Sequence, residues 1–277
     1  MIPLYLFNNL HAGDQLFSRP LYRALAADPR FLVVLGAYAN QAYLFEDLAG
    51  QRLTVQRSAY PERGRTVLYD LAADCPDRHF AVSTWLGEYE DTGNHQWRNV
   101  VEVCRRQLAA HGVAWDPSAL LDRVPMIDFA PRAVTPRVTR PAIYVDNSVC
   151  RSGQSDFTFD LDAMARAFPN HLLLCTRHQA VNAANVVDVS HLDLRDLSAV
   201  SEQCAVVLGK GSGPFCCTYT EPNRRRPRAV CGYRSETSPT FWDYPGNPLQ
   251  YLDTMEAVLE FVAASLRRRT PEVLGCC

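Results

Sequence analysis

The sequence predicts an α/β fold of two successive units, and three observations lead there. Short apolar runs without polar alternation recur along the chain, as in strands buried on both faces of a mostly parallel sheet. Segments with helical periodicity alternate with them, as in sheets covered by helices. Between Trp115 and Thr139 the pairs Asp116-Pro117, Val124-Pro125, Ala130-Pro131 and Thr135-Pro136 crowd a stretch that suits a crossing linker. The chain therefore divides into 1–135 and 136–277, and two such units in tandem make a cleft lined by the carboxyl ends of their strands. One continuous sheet is the alternative architecture.

In the first unit, apolar runs predict strands at 2–7, 31–35, 66–70 and 79–83, and periodic segments predict helices at about 15–27, 40–48 and 96–111. The first helix carries Arg19-Pro20, and a residue before proline is steered away from the α region. The regular helix is thus expected to begin near Pro20, leaving Asp14 in a glycine-assisted turn. The second unit repeats the style, with strands at 142–146, 171–175, 185–188, 205–208 and 228–232 and helices at about 160–167, 195–203, 213–220 and 251–268. No internal repeat is stronger than this shared rhythm.

Composition narrows the function. The 277 residues are 47% hydrophobic and 21% charged with a formal charge of −2, which gives no general attraction to nucleic acid or anionic membrane. The basic run Arg224-Arg225-Arg226-Pro227-Arg228 is short and lacks interleaved aromatic residues, so it reads as a solvated loop. No run approaches the roughly 18 apolar residues of a spanning helix, and the start Met1-Ile2-Pro3-Leu4-Tyr5 has no basic flank. A cytoplasmic protein without an integral membrane segment is expected; peripheral contact would follow only from a lipid-linked acceptor. The ten cysteines include Cys150, Cys175 and Cys204 in or beside apolar runs, where they act as small core residues. Neither Cys216-Cys217 nor Cys276-Cys277 has zinc-site spacing, so no metal site is expected.

Candidate site residues lie where strands hand over to helices. Asp14, in Asn9-Leu10-His11-Ala12-Gly13-Asp14, follows the first strand and serves equally well as a helix cap or as a general base; His11 beside it is a second polar candidate. Lys210-Gly211-Ser212-Gly213-Pro214 follows an apolar strand, and its glycines and hydroxyl suit either a phosphate cradle or a plain capped turn. It is neither a Walker loop nor a dinucleotide fingerprint. The loop Asn147-Ser148-Val149-Cys150-Arg151-Ser152 after another strand offers Ser148 and Arg151, and Arg177 holds the equivalent place after the strand at 171–175. Trp85 and Glu88, in Ser83-Thr84-Trp85-Leu86-Gly87-Glu88-Tyr89, could hold a sugar face and its hydroxyls, or pack at the core edge.

On Gly13-Asp14, Pro20 and Ser212-Gly213 the chain resembles the bacterial heptosyltransferase-like glycosyltransferases of family 9. The resemblance implies the GT-B arrangement of two Rossmann-like domains facing a cleft, with 1–135 on the acceptor side and 136–277 binding a nucleotide-sugar. It implies Asp14 as general base of a metal-independent inverting transfer to a glycan or other hydroxyl acceptor, with no cofactor beyond the nucleotide-sugar co-substrate. Donor contacts fall to Ser148, Arg151, Arg177, Lys210, Gly211, Ser212 and Gly213, and acceptor contacts to His11, Trp85 and Glu88. The chain departs from the family where Gly211 replaces the acidic first residue of the donor element, and where the histidine after it is missing. A nucleotide-sugar epimerase or hydrolase, and a non-catalytic nucleotide-sugar or glycan-binding module, are the competing expectations.

Overall fold

The computed structural model describes residues 1–8, 11–59, 75, 81–83, 96–122, 126–130, 132–133, 135–150, 154–234, 243 and 249–268. They form two compact units, Met1–Ala130 with Thr240–Gly246 and Pro131–Pro239 with Asn247–Cys277.

The first unit runs β1 (Ile2–Phe7), α1 (Ala12–Ala27), β2 (Phe31–Tyr38), 3-10 turns at Ala42–Leu44 and Glu46–Leu48, β3 (Leu53–Ser58), β4 (Ala81–Ser83), α2 (Gln96–Ala110) and α3 (Ser118–Leu121). The strands pair in parallel in the order β3-β2-β1-β4. Chain order reverses between β1 and β4, and open parallel sheets bind ligands beyond the strand ends at such a point. Asn8 and the start of α1 lie there.

Three expectations need correction in this unit. The helix starts at Ala12, not near Pro20, and Pro20 lies inside it. An interior proline costs a helix about 3 kcal/mol, but α1 buries Leu16, Phe17, Leu21, Tyr22 and Leu25 over most of its circumference. That tertiary burial overrides the local rule. The expected helix at 40–48 is two separate 3-10 turns, seating Leu44 and Phe45 in the core. Strand β3 was not expected, because in Leu-Thr-Val-Gln-Arg-Ser only Leu53 and Val55 are apolar. The expected strand at 66–70 lies outside the described residues.

The second unit comprises β5 (Ala142–Val145), α4 (Leu161–Ala167), β6 (Leu172–Cys175), β7 (Val186–Asp188), α5 (Leu194–Ser201), β8 (Val206–Gly209), α6 (Gly213–Cys216), β9 (Arg228–Cys231), β10 (Gln250–Leu252) and α7 (Met255–Arg267). Its all-parallel sheet has the order β10-β9-β8-β5-β6-β7, so the reversal falls between β5 and β8. Both strands are buried along their length, and Ile143, Val145, Val206 and Leu208 join Met164, Phe168, Val258 and Val262 in the core. Side-chain caps start α4, α5 and α7: Asp160 accepts from the Ala163 amide at 2.8 Å, Asp193 from the Arg195 and Asp196 amides at 2.9 and 3.0 Å, and Thr254 from the Ala257 amide at 3.2 Å. The Thr254 cap explains why the last helix begins at Met255 and leaves room for β10, where a helix from 251 was expected. The helix expected over 213–220 is a single turn, Gly213–Cys216.

All eight cysteines among the described residues are buried and free of disulfides, and burial pushes the Cys175 and Cys204 thiols up to about 12. They are inert packing groups. Gly209, which ends β8, has no room for a side chain, since an added Cβ would come within 2.1 Å of Phe215 Cδ2. Gly209→Ala is expected to cost the second unit about 1–3 kcal/mol by overpacking, read as a lower urea midpoint.

Candidate functional site

In the second unit, three strand-end loops converge at the reversal between β5 and β8. Strand pairing aligns Val145 with Cys175 on β6 and with Leu208 on β8, so Asp146 and Asn147 leave the sheet beside Thr176 and Arg177 on one side and the Lys210 loop on the other. Asn147 fastens the first two loops, its amide donating to the Arg177 carbonyl at 2.9 Å while its oxygen accepts the Arg177 amide at 2.8 Å. Tyr144 on β5 donates to the Pro214 carbonyl at 2.7 Å and so steadies the turn into α6; burial raises its phenol pKa.

The fully buried Asp146 carboxylate accepts the Ser212 hydroxyl at 2.5 Å, the Thr176 hydroxyl at 2.9 Å and the Ser148 amide at 3.1 Å. Ser148 and Thr176 also share a hydroxyl contact at 2.8 Å. Ser212 stands at the N-cap of α6 without capping it. Its hydroxyl donates to Asp146; it neither accepts a helix amide as a cap nor faces outward, the two readings the sequence allowed. Gly211 holds φ of 76°, a left-handed backbone that favours glycine.

Lys210 is 8% exposed and has no hydrogen bond or ion pair among the described residues. It lines a pocket of about 260 Å³ together with Asn147, Phe159, Arg177 and His178. An adjoining cavity of about 530 Å³ shares Arg177 and His178, and adds Leu161, Val181 and Val186 as apolar wall and Asp188 as rim. His178 Nδ1 lies 3.1 Å from Asp188 Oδ2, and hydrogen bonds from Ser190 and then His178 lower the Asp188 carboxyl pKa. The Lys210 side chain lies in the pocket wall without a carboxylate partner among the described residues, which leaves the ammonium available to a bound anion. A pocket with two cations and no acid among the described residues of its wall suits an anion.

In the first unit, Asp14 is half-buried in the first turn of α1, and His11 is the exposed N-cap, making no side-chain cap bond. Gln15, fully buried, donates to the Asn8 carbonyl; its Oε1 has no hydrogen-bond partner among the described residues. The Asn8 amide donates to Ser18 at 3.4 Å, and the Ser18 hydroxyl to the Asp14 carbonyl at 3.2 Å.

The structure thus brings together Ser148, Arg177, Lys210, Gly211, Ser212 and Gly213 in one unit, and His11 with Asp14 in the other. Arg151, Trp85 and Glu88 lie outside the described residues. Asp146 and Thr176 escaped sequence reasoning; the available signal was an acid directly after a buried apolar strand.

No family model matches the sequence, and no curated protein matches it. Among solved structures, the glycosyl transferase family 9 protein of Veillonella parvula is 12% identical, with 98% of this chain and 90% of that one covered at a TM-score of 0.54. The E. coli heptosyltransferase WaaC with ADP is 10% identical, covering 95% and 100% at 0.55, and E. coli ADP-heptose lps heptosyltransferase II is 13% identical, covering 96% and 99% at 0.52. What the chain shares with these glycosyltransferases across nearly its whole length is their fold, α/β with two Rossmann-like units.

Proposed function

We propose that this protein is a glycosyltransferase that moves a sugar from a nucleotide-sugar donor to a hydroxyl acceptor. The observation that carries the reading is Lys210, buried, without an anionic partner among the described residues, and set in a pocket with Arg177 at the sheet reversal of the second unit. The fold supports it, since the similar E. coli WaaC structures were solved with ADP and with ADP-2-deoxy-2-fluoro heptose.

In the proposed reaction the acceptor oxygen bonds to the anomeric carbon as the bond from that carbon to the diphosphate oxygen breaks. Asp14 takes the acceptor proton, which raises the oxygen's nucleophilicity. The electron pair leaves with the diphosphate, whose growing charge Lys210 and Arg177 offset. Direct displacement inverts the anomeric centre, and with two cations serving the leaving group no metal ion is needed. The apolar wall of Leu161, Val181 and Val186 suits a nucleobase. The test is titration calorimetry with adenosine, uridine and guanosine diphosphates, followed by turnover of the matching nucleotide sugars with and without acceptors in EDTA. Lys210→Met, which keeps the side chain's bulk, is expected to weaken diphosphate binding about tenfold or more, with a steeper loss at low salt. Absence of binding to every nucleoside diphosphate overturns the reading. Hydrolysis without transfer would assign a hydrolase instead.

A further inference from the structure

We propose that Asp146 is the positioning residue of this site: it locks the Lys210–Gly213 loop against the loop after β6, and so sets where Lys210 stands relative to Arg177. This rests on the donor reading above and deepens it. The three groups that Asp146 accepts come from three separate strand ends, the Ser148 amide after β5, the Thr176 hydroxyl after β6 and the Ser212 hydroxyl after β8. No cation among the described residues is within ion-pair distance of it. A fully buried carboxylate without a cation is retained at a cost that these three donated hydrogen bonds offset.

Asn147 already ties the β5 and β6 loops through the Arg177 backbone. What Asp146 adds is the reach to Ser212. Lys210 and Ser212 flank Gly211, whose left-handed backbone turns the loop, so a fixed Ser212 fixes the direction in which Lys210 leaves the sheet. Loss of the Asp146 to Ser212 bond loosens the placing of Lys210 while leaving the sheet and the Asn147 clamp intact and removing neither cation. The consequence is weaker donor binding rather than a slower chemical step.

The experiment measures adenosine, uridine and guanosine diphosphate binding by calorimetry on the full chain, for the unaltered protein, Asp146→Asn, Ser212→Ala and the double variant. Unfolding midpoints of the ligand-free proteins are taken beside them. Each single change is expected to weaken binding about tenfold, and the double to weaken it no further than the worse single, because both disturb the same Asp146 to Ser212 contact, Asn by exchanging the acceptor for an amide donor and Ala by removing the hydroxyl. With a nucleotide sugar the donor KM rises and kcat holds. A folded Ser212→Ala protein that binds like the unaltered one overturns the assignment, as do losses that add in the double variant. An Asp146 with a merely structural role lowers the unfolding midpoint and leaves the dissociation constants where they were. If the unaltered protein binds none of the diphosphates, the donor reading fails and this one with it; if it binds and the variants bind equally, this one fails alone.

Discussion

Arg19→Met is expected to destabilise the first unit by about 3–5 kcal/mol, the usual cost of removing one partner from a buried ion pair. The Arg19 side chain is wholly buried and that of Asp47 is 5% exposed; the two join through paired contacts at 2.8 and 3.0 Å. The same guanidinium donates to the carbonyls of Leu44 and Asp128 and lies 4.2 Å from the Phe129 ring centre, while Asp47 also accepts the Ala130 amide at 2.9 Å. One side chain thus pins α1 to the 3-10 turns and to the stretch 128–130. Methionine fills the volume but supplies no donors, leaving the buried Asp47 charge without its guanidinium. Thermal unfolding should fall by about 10 °C. Pairing the change with Asp47→Leu should restore most of the loss, because an apolar pair in place of a buried ion pair is often neutral or better. An unchanged midpoint for Arg19→Met would refute the clamp.

That clamp also shows where the sequence could be read and where it could not. Strand ends were legible because β1, β5, β6 and β8 are short apolar runs, and in a parallel sheet the residues after them face the ligand crevice. Lys210, Ser212, Arg177 and Asp14 stand after those strand ends. Helix α1 was misjudged at Arg19-Pro20 because a proline rule sees two residues, whereas the partners of Arg19 are Asp47 and Asp128, which are 28 and 109 positions away. The Asp146 network was hidden for the same reason, since Thr176 and Ser212 lie 30 and 66 positions on. Periodicity reports which face is buried; it is silent about which distant polar groups meet there.

Asp14→Asn is expected to lower kcat by about two to four orders of magnitude, the range for a positioned general base. The sequence leaves this role and helix capping equally open, and this variant separates them. The N-cap of α1 is His11, so Asp14 is the third residue of the helix, and a carboxylate in a first turn interacts favourably with the exposed amides there. Asparagine keeps the size and most of the local hydrogen bonding, so the helix should lose no more than about 1 kcal/mol. It cannot take a proton. If Asp14 works as base, kcat falls while the dissociation constant for the nucleoside diphosphate, held by the other unit, and the unfolding midpoint stay near their original values. If it only supports the helix, the midpoint moves and turnover does not. Gln15 sharpens the contrast, because its buried Oε1 has no hydrogen-bond partner among the described residues and lies one residue along the chain from Asp14. Gln15→Leu removes that polar atom at little cost in volume, and it should leave the proton-transfer step, read as the solvent isotope effect on kcat, as it was. An effect that vanishes in Asp14→Asn and persists in Gln15→Leu would place the proton on Asp14.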